Sequence, residues 1–170
     1  MNSTRATDFI TPKSEVSALF RDAVLALSRQ HAFARRVVNS GRLSLPSTLH
    51  GSALNTADVD EFVGTMVPGA PALDAPLVIE GRSTWLLREL GADFTLLVFG
   101  DAPAWAGALK LKVLVVDEHA DALGHGAQRY DALPGTAYLL RPDQHVCARW
   151  RAPSLDAVQA AMNRATARVT

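Results

Sequence analysis

The sequence predicts an α/β fold: a mixed sheet flanked by helices and preceded by an N-terminal helical segment. Residues 134–150 predict two strands joined by a turn, because Pro142 brings turn chemistry between two β-prone runs. The second run, 145–150, alternates polar and apolar residues, which predicts a half-buried strand. A helix opened by Ser154 follows the second strand at once. Upstream, the run 94–99 is apolar apart from Thr95, which is typical of a strand buried on both faces, and the run 111–116 predicts another buried strand. These strands and the closing hairpin make up the predicted sheet.

The N-terminal segment, residues 1–42, is predicted to be helical. Thr11 or Ser14 can cap a first helix. A second, shorter helix is expected over 32–39 and ends at Gly41, since glycine suits the left-handed conformation at a helix end. Each helix has an apolar face of its own. The face of the first is made of Val16, Leu19, Phe20, Ala23, Val24 and Leu27, and that of the second of Phe33, Val37 and Val38.

Residues 43–73 are predicted to be a linker that follows the protein surface. Proline and glycine recur in this stretch with little periodicity, and only residues 57–62 favour a single helical turn. An irregular segment of this length is unusual inside a compact domain. The domain that folds independently is therefore expected to comprise residues 74–170.

The domain 74–170 is predicted to begin with a short strand at 76–79. Ser83 or Thr84 is then expected to cap a helix. After the first buried strand, residues 103–109 predict a short helix, and residues 117–131 an irregular connection. This order of elements, β-α-β-α-β followed by β-β-α, predicts a thioredoxin-like sheet with right-handed crossovers and an antiparallel end.

Composition limits the classes of function. The 170 residues carry seventeen basic and seventeen acidic side chains, so no net charge favours nucleic acid or an anionic membrane. No apolar run approaches the roughly 20 residues of a membrane helix, and the N-terminus lacks a signal-peptide core. A cytoplasmic protein is the expectation. The single cysteine, Cys147, excludes an internal disulfide.

Residues that could carry redox chemistry are missing from their expected places. A thioredoxin-type enzyme needs a reactive cysteine where a helix follows the first central strand, and residues 100–105 contain none. Cys147 lies within a predicted strand, where a buried thiol is the favoured interpretation. Neither residues 124–126 nor residues 64–69 have the glycine spacing of a pyrophosphate loop.

Other candidate groups are also weak. His119 and His125 lie near three carboxylates and could hold a metal, but a polar surface loop is the favoured interpretation. The arginines Arg35, Arg36 and Arg42 are interpreted as a solvated or ion-paired face, with a phosphate or flavin contact as the alternative. The sequence therefore assigns no catalytic, cofactor-binding or metal-binding residue.

Several stretches together resemble the C-terminal region of FAD-dependent aromatic monooxygenases of the phenol hydroxylase and 3-(3-hydroxyphenyl)propionate hydroxylase type. The similar stretches are spread over nearly the whole chain. They are Asp8-Phe9-Ile10-Thr11-Pro12, Leu19-Phe20-Arg21-Asp22, Val38-Asn39-Ser40-Gly41-Arg42-Leu43, Val67-Pro68-Gly69-Ala70, Asp74-Ala75-Pro76, Phe94-Thr95-Leu96-Leu97 and Leu140-Arg141-Pro142-Asp143.

The resemblance implies a thioredoxin-like domain without redox cysteines, acting in structural support and subunit association. FAD and NAD(P)H are implied only for the full-length family, and this chain alone is expected to be inactive. The implied partners are a second copy of the chain and the FAD/substrate-binding domain of the parent enzyme. Two alternatives remain open: a divergent thioredoxin- or peroxiredoxin-like oxidoreductase using Cys147, and a standalone domain binding a small molecule between the first two helices and the sheet.

Overall fold

The computed structural model describes residues 9–34 and 46–168. The chain divides into two compact units, Met1–Pro46 and Ser47–Thr170. In the first unit, helix α1 (Glu15–Ser28) begins after Ser14, whose Oγ accepts a hydrogen bond from the N–H of Ser17 at 3.2 Å. The predicted Ser14 cap is therefore confirmed.

The second predicted helix falls only partly within the described part of the chain. Residues 32–34 are helical. The rest of that helix, with Gly41, lies outside the described residues. The same holds for the basic cluster of Arg35, Arg36 and Arg42.

The second unit contains six strands and three short or medium helices among its described residues. They are β1 (Pro76–Ile79), β2 (Arg82–Trp85), α2 (Leu86–Glu89), β3 (Thr95–Phe99), a 3-10 turn (Ala106–Ala108), β4 (Lys112–Val116), α3 (His125–Arg129), β5 (Ala137–Leu140), β6 (Val146–Trp150) and α4 (Leu155–Ala165).

The main sheet has the order β4-β3-β5-β6. β3 pairs with β4 in parallel and with β5 antiparallel, and β5 pairs antiparallel with β6. One parallel pair followed by an antiparallel hairpin and a final helix is compatible with a thioredoxin-like arrangement. The predicted α/β fold with a mixed sheet is confirmed.

The central strand β3 divides its side chains between two apolar clusters, as the period of two in a strand dictates. Leu97 and Phe99 join a cluster with Leu86 and Tyr130 on one face of the sheet. Leu96 and Val98 join the other cluster, which α4 completes through Val158 and Ala161. All five residues of β3 are buried, as predicted from its continuous apolar run.

The helix predicted after Ser83 or Thr84 is wrong over most of its length. Glu80 and Gly81 have φ values of 51° and 74°, the positive pair that a tight two-residue hairpin turn needs. The chain therefore turns back as β2, which pairs antiparallel with β1, and the helix shrinks to the single turn α2. Strand β1 itself is confirmed.

Three further local predictions need correction. Only the 3-10 turn Ala106–Ala108 forms within 103–109, where Gly107 supplies no helix propensity. The connection 117–131 is not wholly irregular, because it contains α3. Residues 57–62 form no helical turn, and Asp58 contacts β6 instead.

Two predicted patterns of burial also differ. β4 was expected to be buried on both faces, but it is the last strand of the main sheet and exposes Lys112. β6 was expected to be half-buried, yet all five of its residues are buried. The sequence pattern does not reveal the burial of both faces of β6, because Arg149 is charged and becomes buried only through its ion pair with Asp58.

The stretch predicted as a linker is hydrogen-bonded along β6. The N–H of Thr56 donates to Cys147 O at 2.8 Å, and the N–H of Gly69 donates to Val146 O at 2.7 Å. Val146 N–H in turn donates to Ala70 O at 2.9 Å. The stretch therefore covers an edge of the sheet that would otherwise carry unpaired backbone groups.

Candidate functional site

The place of a thioredoxin-type reactive cysteine is the loop that follows β3. Residues 100–103 form this loop, and they include no thiol. Gly100 has φ 93°, and a Cβ at this position would lie 3.3 Å from Pro134 Cα. Close packing against the loop before β5 therefore explains the glycine.

Cys147 lies in the middle of β6 and is completely buried. Its Sγ–H donates to Leu139 O at 3.3 Å. Burial raises the pKa of the thiol to about 12, so the nucleophilic thiolate is scarce near neutral pH. A buried thiol inside a strand fits the structural interpretation and disfavours the oxidoreductase alternative.

The histidine and carboxylate loop is organised by backbone hydrogen bonds. Asp117 Oδ1 accepts the N–H groups of His119 and Ala120, at 3.0 and 2.7 Å. Asp121 Oδ2 accepts the N–H of Ala127 at 2.7 Å, in the first turn of α3. Within residues 9–34 and 46–168, no group of three or more His, Cys, Asp or Glu side chains could hold a metal ion.

In each of the two glycine-rich stretches a glycine adopts a positive φ angle. Gly124 has φ 66° and precedes α3, a helix of five residues. Gly69 has φ 96°, and a Cβ there would lie 2.5 Å from Leu49 O, so this glycine serves a close backbone contact. The backbone conformation accounts for the glycine at both positions, and at Gly69 the close approach of Leu49 O does so as well.

The strongest side-chain cluster was not predicted from the sequence. Arg149 and Arg151, on and after β6, each place a guanidinium group over the ring of Phe62, at 4.3 and 3.9 Å from its centroid. Arg149 pairs with Asp58, and Arg151 Nη2 donates to Asp131 Oδ2 at 2.6 Å. The cluster therefore fastens residues 58–62 to the sheet.

Helix α1 exposes apolar side chains that a helix in a compact domain would normally bury. Its apolar side chains Val16, Leu19 and Phe20 are 77%, 72% and 58% exposed, and Leu27 is also exposed. They recur at positions i, i+3, i+4 and i+11, so they share one side of the helix. We call these four residues the α1 stripe. Exposed apolar surface arranged in this way is typical of an interface.

The described part of the chain contains no helix long and apolar enough to cross a membrane. The pocket predicted between the first two helices and the sheet would join two units that are described separately, so it stays a prediction.

Comparison with known proteins gives similarity at the level of structure. No family model matches the chain, and no curated protein matches it. The flavin-dependent monooxygenase PieE, solved with FAD and substrate, is similar over 97% of this chain and 32% of its own, with 23% identity and a TM-score of 0.60. RebC soaked with chromopyrrolic acid is similar over 95% of this chain and 31% of its own, with 20% identity and a TM-score of 0.53.

Aklavinone-11 hydroxylase, in complex with FAD and aklavinone, is similar over 87% of this chain and 34% of its own, with 21% identity and a TM-score of 0.50. The chain thus spans about a third of the length of the solved structures it matches. The predicted resemblance to FAD-dependent monooxygenases is confirmed as a likeness of fold.

Proposed function

We propose that this chain is the non-redox, thioredoxin-like C-terminal domain of a cytoplasmic FAD-dependent aromatic hydroxylase. Its role is structural support and subunit association, and it has no FAD or NAD(P)H site of its own. The observation that carries the association role is the exposed α1 stripe. The choice of parent family is supported by the sequence motifs and by the similarity of fold to about a third of the length of each of three flavin enzymes.

The absence of a redox role rests on two positions. The loop after β3 contains no cysteine, and the thiol of Cys147 is buried within β6. A disulfide exchange reaction needs an accessible thiolate that can attack a sulfur atom. Neither position supplies one, so the sheet serves as a scaffold.

The surface that covers the α1 stripe differs between the whole hydroxylase and the isolated chain. In the whole hydroxylase, we assign the stripe to the FAD/substrate-binding domain. In the isolated chain, we assign it to a second copy, because an uncharged stripe on a chain with seventeen basic and seventeen acidic residues meets no net repulsion from its copy. Two-fold pairing is the commonest way to bury such a surface.

The absence of a flavin site can be tested by titrating the purified chain into FAD and following flavin fluorescence. We expect no saturable quenching and a colourless protein, because flavin pyrophosphate is gripped by backbone N–H groups at a helix start and neither glycine-rich stretch offers such a loop. Titration with a flavoprotein stripped of FAD is the positive control. Stoichiometric flavin binding by the chain would refute this part of the proposal.

A further inference from the structure

Residues 47–72 lie along β6, and we call this segment the strap. The strap and the main sheet belong to the same compact unit. The N–H of Thr56 donates to Cys147 O within β6, and the N–H of Ala72 donates to Gln144 O at 2.8 Å, just before β6 begins. The strap therefore occupies the place beside β6 that a further strand of the sheet would take.

Side chains fasten one part of the strap, residues 58–63, to the rest of the unit. Arg149 Nη2 donates to Asp58 Oδ2 at 2.7 Å, and the guanidinium of Arg149 is 96% buried only because the strap lies over it. Asp131 Oδ2 accepts the N–H of Val63 at 2.8 Å. These polar contacts hold the strap in its closed position.

Apolar burial contributes little to the attachment of the strap. Met66 and Ala70 are the only buried apolar residues within 47–72, whereas Val59 and Val63 are 80% and 78% exposed. By contrast, β3 is buried along its whole length. Segments with few buried apolar contacts open at a lower free energy than the core of the same protein. We therefore expect the strap to leave its place more readily than any strand of the main sheet.

Two polar side chains of the strap have no partner in the closed arrangement. Asn55 Oδ1 and Thr56 Oγ1 are buried and make no hydrogen bond in the structure. A buried polar atom without a partner costs free energy, which is recovered when the atom meets water. Both residues lie where the strap bonds to Cys147 O, so opening the strap relieves this cost.

The end of the strap that leads into β1 is fixed to the core. Tyr130 Oη donates to Leu73 O at 2.8 Å, and the ring of Tyr130 is completely buried. Asp74 Oδ1 accepts the N–H of Leu87 at 3.0 Å. Residues 73 and 74 therefore stay with the sheet when the strap moves, and they define a hinge.

We propose that the strap opens from β6 as one unit while the main sheet stays folded, with the ion pair of Arg149 and Asp58 holding it closed. Opening removes the partners of the Val146 N–H and of the Cys147 carbonyl, so β6 becomes an edge strand with free backbone groups. This motion is independent of the α1 stripe, which belongs to the other unit.

Hydrogen exchange of the backbone amides, followed by NMR in the isotope-labelled full chain, measures the opening. Thr56, Gly69 and Ala72 report the strap, and Leu97 and Tyr138, which lie opposite each other in β3 and β5, report global unfolding. We expect the three strap amides to share one protection factor, lower than that of the sheet amides by roughly a hundredfold or more. Strap amides as protected as those of the sheet, or protected to unrelated extents, would overturn the proposal.

Asp58→Ala tests the ion pair that holds the strap closed. We expect it to speed the exchange of all three strap amides by the same factor, roughly thirtyfold or more, because Arg149 is left buried without its counter-ion. Asp93→Ala, at an exposed carboxylate outside the strap, is the matched control and should leave their exchange unchanged. If Asp58→Ala folds poorly, Asp58→Asn removes the charge with little change of size and should act in the same direction. Unchanged exchange of the strap amides, or an effect confined to one of them, would contradict the assignment.

Val158→Ala separates opening of the strap from global unfolding. Val158 is completely buried where α4 packs on the sheet, and it belongs to a different apolar cluster from Met66 of the strap. We expect the exchange of Leu97 and Tyr138 to become roughly tenfold faster, because a cavity destabilises the whole unit. The strap amides should keep their rate, since α4 stays packed whether the strap is closed or open. Strap amides that speed up by the same factor as Leu97 would show that the strap leaves only in global unfolding, and would overturn the proposal.

Discussion

Arg149 and Asp58 lie 91 positions apart in the sequence and form a two-point ion pair. Arg149 Nε donates to Asp58 Oδ1 at 3.0 Å, and Nη2 donates to Oδ2 at 2.7 Å. The Arg149 side chain is 4% exposed, and its Nη1 donates to Met66 O at 3.0 Å. The pair attaches an otherwise irregular stretch of chain to the sheet.

We expect Asp58→Ala to lower the free energy of unfolding by about 2 to 3 kcal/mol, because it leaves a buried guanidinium without its counter-ion. Chemical denaturation followed by tryptophan fluorescence measures the change. Asp93→Ala is the control and should stay within about 0.5 kcal/mol of the unaltered chain. An Asp58→Ala value as small as the control would show that the pair adds little to stability.

Asp131 predicts a specific contribution to stability at low pH. The N–H of Val63 and then the guanidinium of Arg151 lower the pKa of its carboxyl group. Since the folded pKa lies below the unfolded one, this contribution is present above about pH 4 and is lost as the pH falls through the folded pKa. Asp131→Asn should therefore flatten the acid limb of the curve of unfolding free energy against pH.

The measurement is the difference between the two proteins at each pH. We expect the gap to be widest near neutral pH and to narrow as the solution becomes more acidic than about pH 4. A gap that stays constant across this window would mean that Asp131 is not held by these contacts. The carboxyls of Glu89 and Asp143, whose pKa values are also lowered, remain in both proteins and cancel in the difference.

Cys147 is expected to react with a thiol reagent far more slowly in the folded chain than in urea. Burial raises its pKa to about 12, so both access and thiolate are lacking at neutral pH. Cys147→Ser should leave any activity unchanged and cost about 1 to 3 kcal/mol of stability, because a hydroxyl is buried in place of the thiol. Reaction of the folded chain as fast as the unfolded control would contradict this interpretation.

The sequence predicted those elements that local patterns determine. β3 followed from its apolar run, α1 and α4 from Ser14 and Ser154, and the closing hairpin from the turn chemistry around Pro142. In each of these the signal and the structure it specifies lie within a few residues of one another. The mixed sheet could then be assembled from the order of the elements.

The parts that were missed depend on distant partners or on a backbone turn. In the sequence, Arg149 has the pattern of a solvent-exposed strand residue. Its burial is explained only by the ion pair with Asp58, which lies 91 positions away. Strand β2 forms because Glu80 and Gly81 adopt positive φ, which overrides the helix expected from Thr84. The buried carboxylate of Asp121 gave no signal beyond polar loop chemistry, since only the fold shows that its Oδ1 is without a partner.

The association surface is the central claim, and the α1 stripe provides its variants. Leu19→Glu combined with Phe20→Glu places charge on the stripe while keeping good helix propensity. Leu123→Glu is the matched control, because Leu123 is an apolar residue of the other unit with 72% exposure, equal to that of Leu19. Far-ultraviolet circular dichroism verifies that all three proteins are folded.

Light scattering of the purified chain at micromolar concentration tests this claim most directly. The account predicts twice the chain mass of 18.2 kDa for the unaltered protein and for Leu123→Glu, and a single chain mass for Leu19→Glu/Phe20→Glu. A single chain mass for the unaltered protein, or a double mass that survives the stripe substitutions, would contradict it.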